Sequence, residues 1–118
     1  MFMKYGIKKR YKTLSRCEKI RKILDEKKAE DIEVIDLTSK NYIVEYVVIA
    51  TTLNSKHGYS LLSYLKNELK PDGEEFLRVN EEDEWTIIDL GDVFIHLMSE
   101  NYRKKYSIEE FLGELKNK

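Results

Sequence analysis

Apolar residues recur at helical spacing in some stretches of this chain and at strand spacing in others. Ile20, Ile23 and Leu24 fall at i, i+3 and i+4, which predicts a helix over 15–28. Ser15-Arg16-Cys17-Glu18 has the form of a capping box at its start. Residues 31–37 alternate and are rich in β-branched side chains, so a strand is expected there. After a polar turn at 38–41, residues 43–51 read as a second strand, apolar on both sides as suits a covered central position. Asn54 or Ser55 can cap the next helix, which places Leu61, Leu62, Leu65 and Leu69 on one side and stops at Pro71-Asp72-Gly73. A short strand is predicted over 75–79. Two β-rich runs, 85–90 and 93–97, follow, joined by a Gly91-Asp92 hairpin turn. Ser99 can cap a short helix through Lys105. Ser107-Ile108-Glu109-Glu110, a second capping box, opens a terminal helix with Phe111, Leu112 and Leu115 on its inner side. The order α-β-β-α-β-β-β-α-α predicts an α/β domain with a mixed sheet of about five strands flanked by helices: the hairpin requires antiparallel pairing, and the helix after the second strand provides a crossover.

Composition narrows the class. The 118 residues suffice for one domain, and no Gly/Ser-rich linker divides them. With 42% hydrophobic and 36% charged residues, the chain is too apolar for disorder and too charged for a membrane protein. No apolar run approaches the ~20 residues of a membrane helix. The basic opening has no secretory-signal pattern, and the single Cys17 cannot form an internal disulfide. A soluble, intracellular domain is expected, with residues 1–14 as a loose basic N-terminal arm and 15–118 as a single domain. The formal net charge of −1 hides a split: residues 1–30 hold 11 Lys/Arg against 4 Asp/Glu, and the remainder hold 10 against 18. That gives +7 and −8, a dipole able to steer encounter with a charged partner.

Most catalytic signatures are absent. The chain has no G-x-G-x-x-G, no phosphate-binding P-loop and no G-x-S-x-G. His57 and His96 are its only histidines and lack zinc-ligand spacing, so no metal and no cofactor is expected. Asp31 and Glu33 form a D-x-E of the kind that holds two metal ions in nucleotidyl transfer, but the chain's strand-to-helix turn is Thr52-Leu53-Asn54, without the Gly-Ser of those enzymes. Trp85 directly follows the acidic run Glu81-Glu82-Asp83-Glu84. An aromatic beside carboxylates at a hairpin is either a core residue or an anchoring contact for a basic protein surface.

Dispersed motifs then add a resemblance. Glu45-Tyr46-Val47-Val48-Ile49-Ala50-Thr51, together with Trp85-Thr86-Ile87-Ile88-Asp89-Leu90-Gly91-Asp92-Val93-Phe94-Ile95-His96, resembles the ribosomal silencing factor (Iojap-like) family with its W-x-x-x-D-x-G-D-x-x-x-H signature. Arg103, Tyr106 and Glu109/Glu110 resemble the closing R-x-x-Y-x-[LI]-E. The chain departs from the family at Glu45, Val47, Thr52 and Asn54. The resemblance implies a nucleotidyltransferase-like fold without the catalytic motif and a cytoplasmic protein that is not an enzyme. It further implies binding to protein fourteen of the large ribosomal subunit, so that the small subunit cannot join and translation is repressed under nutrient limitation. A homodimer is implied for the free protein. On this reading Trp85 is the aromatic anchor, Asp89 and Asp92 are acidic partners for the ribosomal protein, and Tyr46 and His96 are further contacts. The alternatives are an inactive or weakly active nucleotidyltransferase-like domain, or an RNA-binding module using the basic segment, which could also contact ribosomal RNA.

Overall fold

The computed structural model describes residues 2–117, with side chains from 13 to 113. Helix α1 (Phe2–Glu26) leads into β1 (Glu30–Asp36) and β2 (Tyr46–Thr52), then α2 (Ser55–Leu69) and a 3-10 turn over Lys70–Asp72. Strands β3 (Arg78–Glu81), β4 (Trp85–Asp89) and β5 (Val93–Ser99) follow, and helices α3 (Glu100–Tyr106) and α4 (Ile108–Asn117) close the chain. The strand order is β1-β2-β5-β4-β3. Only β2 and β5 are parallel, and the other neighbours are antiparallel. The expected mixed five-stranded α/β architecture is present.

Every residue of β2 is buried, which matches its unbroken apolar sequence. One face of the sheet carries Ile32, Val34, Tyr46, Val48, Ala50, Ile88, Val93, Ile95 and Leu97. It packs on Cys17, Ile20, Ile23 and Leu24 of α1 and on the leucines of α2. Leu61, Leu65 and Ile20 are fully buried, each contributing about 2 kcal/mol of transfer free energy. The other face carries Ile35, Val47, Ile49, Phe94 and Met98 against Leu37, Val44, Tyr102, Ile108 and Leu112.

Local chemistry explains where the elements depart from expectation. Helix α1 passes straight through the Ser15 capping box, because the Thr13–Cys17–Ile20–Leu24 line is already packed at Thr13, 1% exposed. Strand β2 starts three residues later than its apolar run, leaving Ile43 74% exposed. Strand β3 is likewise displaced toward the acidic run. Ser107 does not cap α4 with its side chain. It closes α3 in the left-handed conformation, φ 45°, and its hydroxyl donates to the Lys104 carbonyl. The short α3–α4 break rotates α4 so that Leu112 is buried while Phe111 is 54% exposed, correcting its expected inward placement. The Leu115 side chain lies outside the described residues. Asn54 does cap α2, accepting from the His57 amide at 2.8 Å.

The hairpin between β4 and β5 is closed by the Leu90 amide donating to the Val93 carbonyl at 2.9 Å. Gly91 has φ +98°, a conformation glycine adopts without a Cβ penalty, whereas Asp92 is not left-handed. A Cβ at Gly91 would meet Leu77 Cδ1 at 3.3 Å as well as an unfavourable backbone. Gly91→Ala is therefore expected to destabilise the fold by about 1–2 kcal/mol, read as a lowered urea midpoint at unchanged slope.

Candidate functional site

Strand alternation and register decide which side chains share a surface. Across the second face run three rows: Ile35–Val47–Phe94–Asp89–Arg78, then Glu33–Ile49–His96–Ile87–Asn80, and Thr51–Met98–Trp85. Helices α3 and α4 and the 37–45 segment cover the β1–β2 side of these rows. Over β4 and β3 the cover stops. Trp85, Ile87, Asp89 and Phe94 are half-buried, and Arg78 and Asn80 are exposed. The result is an open sheet surface with an apolar centre and a charged border, the pattern of a protein-docking face.

Trp85 is held from two sides. Its Nε1–H donates to His96 Nδ1 at 3.0 Å, and its ring lies 5.1 Å from that of Tyr106, tilted by 40°. Tyr102 packs edge-on against Tyr106 at 5.4 Å. The indole is thus pre-oriented, which lowers the entropy cost of using it in a contact. Accepting from Trp85 leaves the His96 proton on Nε2. Burial alone pushes the His96 pKa down to about 4, so the imidazole is neutral at physiological pH.

Asp89 closes the border at the opposite end of β4. One of its carboxylate oxygens accepts from the Gly91 amide at 2.8 Å, and Arg78 is its cross-strand neighbour. Asp92 is placed differently. Arg16 of α1 forms a forked pair with it at 2.7 and 2.8 Å and a second fork with Glu74 at 2.6 and 2.8 Å. The Asp92 bond is the largest influence on Arg16 and keeps its guanidinium firmly charged. Asp92 also accepts from the Glu45 and Tyr46 amides through its carbonyl, so it ties α1, β2 and the hairpin together. Tyr46 lies on the opposite, helix-covered face and is 6% exposed. Of the five candidates, the structure brings Trp85, Asp89 and His96 to one surface, with His96 as its floor, places Asp92 in the partly exposed ion pair with Arg16 at the end of the sheet, and buries Tyr46 in the core.

Sequence reasoning missed Ile87, Phe94 and Arg78 as members of this surface. Alternation within 85–89 could have found Ile87, but Phe94 and Arg78 needed the register. Arg103 is also more central than the sequence suggested. It is 8% exposed and donates to Thr51 Oγ1 at 2.8 Å, to Glu109 at 3.1 Å and to the Asp31 carbonyl. Those bonds fasten α3 to the sheet and so fix Tyr106 beside Trp85. A bulge lies between Glu30 and Glu33, with Asp31 at φ 46°, and Asp31 and Glu33 line one open cavity beside Arg103, with Glu33 3.7 Å from its guanidinium. No group of three or more metal-ligating side chains occurs among the described residues. Burial pushes the Cys17 thiol up to about 12, which leaves it unreactive. No helix among the described residues is long and apolar enough to cross a membrane.

Residues 11–118 match the family described as ribosomal silencing factor during starvation. The chain is 27% identical over 92 residues to the ribosomal silencing factor RsfS of Bacillus subtilis, covering 76% of this chain and 78% of that protein. It is 29% identical over 105 residues to the chloroplastic protein Iojap of Zea mays, covering 85% of this chain but 44% of that one. Among solved structures, it resembles a protein of Chromobacterium violaceum at TM-score 0.75 and 26% identity, with 80% of each chain covered.

The depressed His96 pKa has a direct consequence. Between about pH 4 and 6.5 the unfolded chain binds the proton and the native one does not, so stability falls as pH drops through that window. From pH 7 to 5 this residue alone should remove about 2 kcal/mol. In His96→Gln that part of the pH dependence should vanish, as read from urea unfolding at the two pH values.

Proposed function

We propose, from the premise that this chain belongs to the ribosomal silencing factor family, that it acts by occupying a surface of the large ribosomal subunit. The family is one of ribosome-associated regulators and not of enzymes. In our reading the docked surface is protein fourteen of that subunit, and the bulk of the bound domain keeps the small subunit from joining, repressing translation when nutrients are limited. The observation that carries this is the uncovered face over β4 and β3, where a pre-oriented Trp85 shares the surface with Ile87 and Phe94 and Asp89 stands at the border.

The physics asks for no bond-making. A fully desolvated tryptophan at the centre of an interface commonly contributes 2 kcal/mol or more, and a carboxylate at the border favours partners rich in Lys and Arg. Occupancy then follows affinity and concentration. Asp92 and Tyr46 act in this scheme through the shape of the hairpin and strand, and His96 by orienting the indole. A cytoplasmic location and a homodimer of the free protein belong to the same reading and rest on the family resemblance.

Sedimentation of purified ribosomal subunits through sucrose gradients tests it. Added protein should shift joined ribosomes to free subunits in proportion to its concentration, and undiminished joining at saturation refutes the mechanism. Trp85→Ala should weaken binding to large subunits by about 2 kcal/mol, roughly thirtyfold, while leaving the circular dichroism spectrum unchanged. Native affinity in a folded Trp85→Ala protein would remove this face from the interface.

A further inference from the structure

We infer that the second nitrogen of His96 selects the partner: its Nε2–H donates to a main-chain carbonyl oxygen of the docked protein at the centre of the open face. This rests on the docking reading above and adds the chemistry that the partner must bring. His96 stands in the middle row of the second face, between Ile49 of β2 and Ile87 of β4. Its ring lies 5.9 Å from that of Trp85 and 6.4 Å from that of Phe94, the latter edge-on. The indole bond uses Nδ1 as acceptor, which leaves the proton of the neutral ring on Nε2. Side chains stand roughly perpendicular to a sheet, and Nε2 is at the far end of the ring. The N–H therefore looks outward between the two aromatics. The residue is 9% exposed, and among the described residues no acceptor lies within hydrogen-bond reach of Nε2. Nor does Nε2 belong with Glu45 Oε2 and Glu109 Oε2, which are sealed from water without a partner. A donor is thus left free on an apolar floor, in contact with water until a partner arrives.

Docking strips that water away, and a buried donor left without an acceptor weakens a complex. The partner must therefore supply an oxygen at this point. Lys and Arg side chains cannot, because they carry donors only. A carboxylate is disfavoured by Asp89, which stands on the same face in the next row, about 7 Å along the strand. Hydroxyl and side-chain amide oxygens bring a proton donor of their own, which would find no acceptor among Ile49, Ile87, Trp85 and Phe94. A main-chain carbonyl brings the oxygen alone. Asp89 asks for the opposite, a cationic donor. Neighbouring rows of opposite hydrogen-bonding sense admit one register of the partner, with a basic side chain over Asp89 and a carbonyl over His96. The apolar contacts of Trp85, Ile87 and Phe94 supply area and tolerate sliding, whereas these two polar points penalise it.

His96→Asn separates the two nitrogens. Its side-chain oxygen falls near the place of Nδ1 and can still accept from the indole, while the Nε2 donor is gone. The chain holds one tryptophan, so a single indole N–H resonance reports that bond. His96→Asn should keep this resonance near its native position and bind purified large subunits about tenfold more weakly. The second measurement uses the native protein with isotope-labelled histidine, the Nε2–H of His96 being assigned by its loss in His96→Asn. On addition of purified ribosomal protein fourteen this resonance should move downfield and become protected from exchange. Native affinity of His96→Asn with the indole resonance in place overturns the inference, as does an Nε2–H unmoved by the ribosomal protein. A ring that gains a second proton in the complex marks a carboxylate and overturns it too. Trp85→Ala tells the two readings apart. Weakened binding of that variant beside an unmoved Nε2–H removes this inference alone, whereas its native binding removes the docking face and the inference with it.

Discussion

The parallel pairing of β2 with β5 is the constraint from which the rest of the structure follows. Because these strands run in the same direction, the chain must return from one end of the sheet to the other, and it does so through α2, β3 and β4. That return lays α2 across one face beside α1 and adds β4 and β3 to the far edge. The second face receives its helices only after β5 ends. Helices α3 and α4 are short, and they cover the β1–β2 side. Over β3 and most of β4 that face is left open, α3 reaching only Trp85 through Tyr106.

An uncovered sheet surface is useful only if its side chains hold still. Two buried polar contacts supply this. The His96 imidazole, held neutral by desolvation, offers its nitrogen to the Trp85 indole. The Arg103 guanidinium, nearly inaccessible to water, fastens α3 to the bulge in β1, to Thr51 and to Glu109. A buried cation without such partners would be strongly destabilising. With them, α3 keeps Tyr106 against the indole, and the anchor is oriented before any partner arrives.

The ion-pair cluster of Arg16 with Asp92 and Glu74 plays a corresponding role at the opposite end of the sheet. It joins three segments distant in sequence and is partly screened from water, which strengthens it relative to a surface pair. Through it, the packing of α1, the shape of the hairpin and the border of the open face depend on one another.

The sequence by itself determined the element order, the class of the fold and the helix-covered core, because these depend on local periodicity: the α2 leucines, the unbroken apolar run of β2 and the Asn54 cap are legible one segment at a time. It also made Trp85 conspicuous, as the chain's only tryptophan beside an acidic run. Tertiary structure decided which candidates share a surface. Asp89 and Asp92 are three residues apart, yet one borders the open face and the other is bound by Arg16, a residue 76 positions away. Tyr46 turned to the core because β2 enters the sheet at that residue and alternation sends it to the α1–α2 side, whereas Phe94 and Arg78 joined Trp85's face through register. Ser15 and Ser107 show the same limit in the helices. A capping motif states a local preference, and packing of Thr13 and Leu112 outweighed it. Cross-strand neighbours and long-range ion pairs are set by how distant segments meet, and no window along a single chain contains that information.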